Sequence, residues 1–293
     1  MKLVIDTDIG DDYDDIVTLA VALSSPEVEL LGVTTVAGDV GLRARLAKRF
    51  LALAGRADVP VAVGAPTPVR ATFTHCRWAE AAPPLAGDEP EAADLLLRAI
   101  AARPGEVTVL AIGPLSNLAE ALRRDPATFA KVGRVVLMGG AVRRGYRDLP
   151  WRAAGGPSPE HNIVSDILAA RAVFASGVPL AVAPLDSTML ALDELKRSQI
   201  FTRSTPVCDA LALTYLQWAM AGRSTPILYD TVALAFALAP ALFRVERLRL
   251  QVDAEGVTRI AAGAANADVC VDSDEGAFHR WMMPRLTGEP PRA

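Results

Sequence analysis

Residues 1–20 read MKLVIDTDIGDDYDDIVTLA. A short apolar run, Leu3 to Ile5, is followed at once by six aspartates between Asp6 and Asp15. An apolar helix-period segment, Ile16 to Leu23, comes next. This is a strand, an acidic turn and a helix. The same rhythm then repeats. Glu29 to Thr35, Val59 to Val63, Val107 to Ile112, Val135 to Met138 and Leu180 to Ala183 read as strands. Leu42 to Ala54, Ala92 to Ala102, Ser116 to Arg124 and Asp166 to Ser176 read as helices. Alternation of this kind predicts an α/β fold: one mostly parallel open sheet flanked by helices, with a Rossmann-like core. No internal repeat or linker divides the chain, so a single domain over residues 1–293 is expected. From Arg244 on, a small β-rich excursion and a final helix, Asp274 to Arg285, are expected.

Sheets of this type bind ligands beyond the carboxyl ends of their strands. The acidic turn occupies such a place. So do IGPLSN (112–117), the Gly139-Gly140 pair and APLDST (183–188). Two proline- and glycine-rich stretches, 65–91 and 141–159, read as long loops, which in compact domains tend to be functional.

Composition narrows the function classes. The chain has 293 residues, 51% hydrophobic and 22% charged, with a formal net charge of -4, as in an ordinary globular protein. No basic cluster suggests a nucleic-acid face. Arg143, Arg144, Arg147 and Arg152 read as a solvated loop patch. Cys76, Cys208 and Cys270 are scattered, without metal-site spacing, which fits a reducing compartment. The first residues turn acidic too early for a secretory leader, and no apolar stretch reaches the roughly 20 residues of a membrane span. A cytoplasmic protein with no membrane partner is expected.

Carboxylates crowded into one turn repel one another and share protons reluctantly. Helix capping accounts for one or two aspartates, not six. An EF-hand fails, because the glycine comes one place early, at Gly10, and the twelfth position is Val17 rather than glutamate. An aspartate-nucleophile phosphatase needs a Ser/Thr anion-holder and a lysine. The contexts of Thr34, Ser187, Lys131 and Lys196 do not supply them.

DTDIGDDYDD (6–15) resembles the N-terminal fingerprint of the inosine–uridine-preferring nucleoside hydrolases. PEVELLGVTTVAG (26–38), LAIGPLSNLA (110–119), VVLMGGA (135–141), EHN (160–162) and LYDTVALAFAL (228–238) are similar to that family's later signatures, and in family order. The resemblance implies a nucleoside hydrolase fold and calcium-dependent hydrolysis of the N-glycosidic bond of a ribonucleoside. It implies Ca2+ held by Asp8, a second carboxylate of the first loop, Asp230 and the carbonyl of Ile112. Asp8 doubles as the base that takes a proton from a calcium-held water. Asp14, Asp39, Glu160 and Asn162 would hold the ribose. A homodimer or homotetramer is expected.

The chain departs from the family pattern in four places. Its fingerprint carries two extra residues. Counting back from Pro26-Glu27 makes Asp15 the metal ligand and Asp14 the ribose contact, the preferred match. Counting forward from Gly10 makes Asp12 the ligand. Tyr229 stands where many members place the histidine that protonates the leaving base, and a phenol near pKa 10 is a poorer acid. Asp39 replaces an asparagine, and the asparagine expected upstream of Glu160 is not evident.

His161, inside EHN, is expected to pack against sugar or base. His75, in THCRW (74–78), is a candidate substrate contact on the first long loop. Trp78, Tyr215, Trp218 and Tyr229 are candidates to stack on a base. Leu211 and Leu216 are read as core and Asp186 as structural; for Arg223, before a Ser-Thr-Pro turn, a surface role is preferred to a substrate contact. Two rivals stand beside the hydrolase: hydrolysis of a non-standard riboside, and calcium and ribose binding without turnover.

Overall fold

The computed structural model describes residues 1–65, 73–146 and 156–288. The chain runs β1 (Lys2–Thr7), α1 (Asp14–Leu23), β2 (Glu29–Thr35), α2 (Val40–Leu53), β3 (Val61–Val63), α3 (Cys76–Glu80) and α4 (Ala92–Ala102). It continues through β4 (Val107–Ala111), α5 (Ser116–Arg124), α6 (Pro126–Phe129), β5 (Arg134–Met138), α7 (His161–Ser165), α8 (Ile167–Ala175) and β6 (Leu180–Ala183). Then come α9 (Leu185–Thr188), α10 (Glu194–Phe201), α11 (Pro206–Ala219) and α12 (Tyr229–Leu238). The last elements are β7 (Phe243–Leu248), β8 (Leu250–Val252), β9 (Thr258–Ile260), β10 (Ala267–Ser273) and α13 (Glu275–Thr287).

Eight strands form one sheet in the order β3-β2-β1-β4-β5-β6-β10-β7. Pairing is parallel from β3 through β10, and β7 alone runs antiparallel to its neighbour. The expected α/β architecture is therefore observed. One correction concerns the C-terminal segment. It is not an excursion: β10 and β7 extend the main sheet, and only the β8–β9 hairpin stands apart.

Side chains alternate across the strands, and each face feeds its own core. Leu3, Ile5, Leu110, Val136 and Ala181 pack with residues of α1, α2, α11, α12 and α13. Val4, Val109, Val135, Leu137 and Val182 pack with residues of α4, α5 and α8. No helix among the described residues is long and apolar enough to cross a membrane.

The first long loop contains a short helix, α3, not expected from its prolines. Residues 66–72 and 147–155 lie outside the described residues, and with them Arg147 and Arg152 of the basic patch. Arg143 pairs with Glu246 at 2.8 Å, both partly exposed, as a solvated charge would. Asp186 has the structural role expected: its carboxylate accepts from the backbone N–H of Val142, Arg143 and Arg144. Leu216 requires a correction. It is 57% exposed, because the inward face of α11 runs through Leu211, Thr214 and Trp218 at helical spacing.

Candidate active site

A cavity of about 370 Å³ opens beyond the carboxyl ends of β1, β4 and β5. Two helix N-termini meet at its floor. Helix α1 begins with Asp14 and Asp15, and α12 with Tyr229 and Asp230. The two helices are held together by a Thr18–Thr231 hydroxyl contact at 2.9 Å and by the backbone N–H of Asp230, which donates to Asp14 Oδ2 at 3.1 Å. Both helix dipoles favour negative charge at this place.

Asp14, Asp15 and Asp230 offer carboxylate oxygens that all lie within 4.8 Å of one another. All three side chains are buried. Burial pushes each carboxyl well above the usual carboxylate range. The charges of neighbouring aspartates add to this, Asp12 for Asp14, Asp8 for Asp15 and Asp14 for Asp230. No ion pair to any of the three is seen among the described residues. Among the described residues, the one side chain that donates to them is the Thr7 hydroxyl, 2.5 Å from Asp15 Oδ1. Three buried acids with no ion-pair contact among the described residues, and only the more distant charge of Arg43 to oppose their repulsion, are the donor set of a hard divalent cation, so these residues fit such an ion.

Asp8 lines the same cavity, and its Oδ2 lies 3.8 Å from His161 Nε2. Contact with the Asp8 carboxylate raises the imidazole pKa to about 9. Ile112, at the end of β4, also lines the cavity. Asp12 lines it too, yet stands outside the three-carboxylate cluster. Its Oδ1 accepts from the Trp218 indole at 2.7 Å and from the Tyr13 backbone.

The other wall is the start of α7, held against the end of β5. Glu160 caps α7, and four donors reach its carboxylate. Oε1 accepts from Asn162 N at 3.0 Å and from the Tyr146 hydroxyl at 3.3 Å. Oε2 accepts from Gly140 N at 2.9 Å and from Ile163 N at 3.2 Å. Burial raises the Glu160 carboxyl, and the three backbone amides oppose that rise. The Asn162 side chain donates to Met138 O at 3.1 Å, which ties it to the strand end.

Two expected contacts lie elsewhere. Asp39 is exposed and caps α2, accepting from Leu42 N at 2.9 Å. It does not line the cavity, because the capping geometry turns its carboxylate back to its own helix. His75 is fully buried against Tyr13, and neither ring nitrogen has a partner among the described residues. Burial lowers its pKa to about 3, so it is a neutral packing group beneath the loop rather than a lining residue. Of the aromatic candidates, Tyr229 lines the cavity. Trp78 packs on Phe50, and Trp218 serves Asp12.

Two site residues, Tyr146 and Arg43, escaped the sequence reading, and a third, Arg223, was placed at the surface in preference to the substrate. Tyr146 bonds Glu160, and its ring meets Tyr229 edge-on at 6.3 Å. Arg223, read as a surface residue, lines the cavity. Arg43 is fully buried beneath the first loop. It donates to the carbonyls of Asp8, Ile9 and Ala37 and to the Asp11 carboxylate. Its signal was present: Arg43 shares the apolar stripe of Leu46, Ala47 and Phe50, and a charge on such a stripe needs buried acceptors. Gly10 is needed in this loop, since its φ is +126° and a Cβ would stand 2.4 Å from the Phe73 ring.

Comparison with known proteins gives one answer. The family model described as inosine-uridine preferring nucleoside hydrolase matches residues 3–280. Uridine nucleosidase 1 of Arabidopsis thaliana is 32% identical over 87% of this chain and 79% of its own length. The non-specific ribonucleoside hydrolase RihC of Salmonella agona is 30% identical over 96% of both. Among solved structures, a plant nucleoside hydrolase superposes with a TM-score of 0.86 at 25% identity, over 98% of this chain and 99% of that one. The purine-preferring ribonucleoside hydrolase of Gardnerella vaginalis gives 0.83 at 25% identity, over 98% of both. With its sheet order, its strand-end cavity and its motifs in register, the chain belongs to the inosine–uridine preferring nucleoside hydrolase family, enzymes that cleave the N-glycosidic bond.

Proposed function

We propose that this chain hydrolyses ribonucleosides to ribose and free base with the help of a divalent cation, and that the ion is calcium. One observation carries the reading: Asp14, Asp15 and Asp230 converge, buried and without an ion-pair contact among the described residues. These three carboxylates, with Asp8 and the Ile112 carbonyl of the same cavity, are assigned to the ion. Their position supports the count that makes Asp15, rather than Asp12, the metal ligand, and Asp14, which that count gave to the ribose, is added to the ligands. A hard cation bound there supplies Lewis-acid polarisation of water and a fixed pole for vicinal hydroxyls.

The chain's own groups do the rest. Asp8 is assigned as the base that accepts the proton lost by the attacking water. Glu160 and Asn162 hold the sugar. The four donors on Glu160 use both lone pairs of each oxygen, so a sugar hydroxyl reaching it takes the place of the Tyr146 phenol, the longest of the four contacts. The many carboxylates of the walls favour positive charge building at C1′. His161, half-exposed at the cavity, is placed to contact sugar or base.

Burial, then Asp14, pushes the Tyr229 phenol up from its ordinary value. It keeps its proton at neutral pH and is assigned as a neutral hydrogen-bond donor and aromatic wall. Homo-oligomerisation as a dimer or tetramer is part of this reading. The Asp230→Ala variant tests it. Bound calcium, measured by elemental analysis, and ribose release are lost together. Ribose release that survives in Asp230→Ala with chelator present would sink the metal assignment.

A further inference from the structure

We propose that Arg223 stabilises the departing base, so that the base leaves as an anion rather than after protonation by an acid. This rests on the hydrolase reading above. Among the described residues that line the cavity, Arg223 is the one side chain with a permanent positive charge. The remaining lining groups are carboxylates, neutral side chains and His161, which faces Asp8.

The seat of Arg223 is built by the lengthened first loop. Its Nη1 donates to the Asp11 carbonyl at 3.3 Å and stands 3.6 Å from Asp12 Oδ1. Its guanidinium lies 5.6 Å from the centre of the Trp218 ring. Both parts of that seat are anchored: Asp12 by the Trp218 indole at 2.7 Å, Asp11 by buried Arg43 at 2.9 Å. The polar contacts seen among the described residues run through Nη1 alone. Other N–H groups of the five-donor fork are left to meet a ligand. The sugar contacts, Glu160 and Asn162, open α7 and are tied to the end of β5 through Met138 and Gly140, whereas Arg223 sits beside the β1–α1 loop. A nucleoside held by its ribose at the first place directs its base to the second.

The step balances as follows. The C1′–N bond breaks, and its electron pair stays on the base nitrogen. The water oxygen forms the new bond to C1′, and its proton passes to Asp8. The base anion spreads its charge over ring nitrogen and carbonyl oxygen, is paired by the guanidinium, and later takes a proton from solvent. Nucleoside and water give ribose and base. The substrate class favoured is a ribonucleoside whose base carries a carbonyl oxygen conjugated to the glycosidic nitrogen.

The test compares Arg223→Met and Arg223→Lys with the wild type, on uridine and on 4-nitrophenyl riboside, whose leaving group is already a stable anion. The expected result is that Arg223→Met lowers kcat/KM on uridine roughly 100-fold or more, the scale of losing one transition-state donor. The nitrophenyl riboside loses far less, and lysine restores part of the uridine rate. Equal losses on both substrates would mean a merely structural role and would overturn the proposal. So would a His161→Phe variant that reproduces the split while Arg223→Met does not. If the wild type releases ribose from neither substrate, the hydrolase reading itself has failed, and the proposal falls with it.

Discussion

Replacing Arg43 by leucine puts the largest structural demand of the site to the test. The guanidinium is fully buried. Its Nε donates to Ala37 O at 2.7 Å, Nη1 to Ile9 O at 3.0 Å and to Asp8 O, and Nη2 to Asp11 Oδ2 at 2.9 Å. Ala37 sits at φ +68°, a conformation an L-residue resists, so one anchored carbonyl belongs to a strained residue. Arg43→Leu leaves these acceptors without their donor in a buried place. Removing one partner of a buried charged pair costs about 3–5 kcal/mol. Asp11 is partly exposed, at 19%, and water reaches it once freed, so the lower half of that range is expected. Arg43→Lys should lose nearly as much, because one ammonium cannot reach four acceptors. Urea denaturation in the presence of chelator measures the loss without a contribution from bound metal. A loss below about 1 kcal/mol would show that the first loop holds its shape without the guanidinium, and would refute the reasoning.

Other consequences can be checked separately. The carboxyls of Asp14, Asp15 and Asp230 are raised in the metal-free protein. Their contribution to stability is fully present below the unfolded carboxylate pKa and lost as pH rises through the folded values. Thermal denaturation with chelator should therefore show stability falling as pH rises from about 4 towards neutrality, and calcium should restore it. His75 titrates at about 3 rather than 6.5, so it favours the fold above pH 6.5 and loses that contribution as pH falls towards 3. The gap corresponds to ~5 kcal/mol, and His75→Phe should abolish this acid limb of the stability profile. Tyr229→Phe should lower turnover of uridine and of nitrophenyl riboside by similar, modest factors. A loss confined to uridine would make the phenol the acid after all.

The strands and most helices were legible because each carries its own period. The expected spans of β2, α4, α5 and β6 coincide with those observed. The acids of the first loop stood out because charge is concentrated next to a strand end, whereas Asp230, a lone acid in LYDTV, was found only through the resemblance of its segment to the family's late motif. What escaped depends on long-range geometry. The pairing of β10 with β6 joins segments 87 residues apart, and no local pattern announces it. Asp39 follows a strand as a ligand-binding residue would, but capping competed for the carboxylate and won. His75 lies in a loop sequence, yet Tyr13 and the loop cover it completely. Arg223 looked solvated because the acids that seat it, Asp11 and Asp12, lie more than 200 residues away in the chain.

The most direct test of the account is ribose release by the wild-type protein from a panel of purine and pyrimidine ribonucleosides, with calcium and with chelator. The account predicts turnover that chelator abolishes and calcium restores. Turnover undiminished by chelator would contradict the role given to the buried carboxylates, and calcium binding with no turnover anywhere in the panel would leave a binding protein in place of the enzyme.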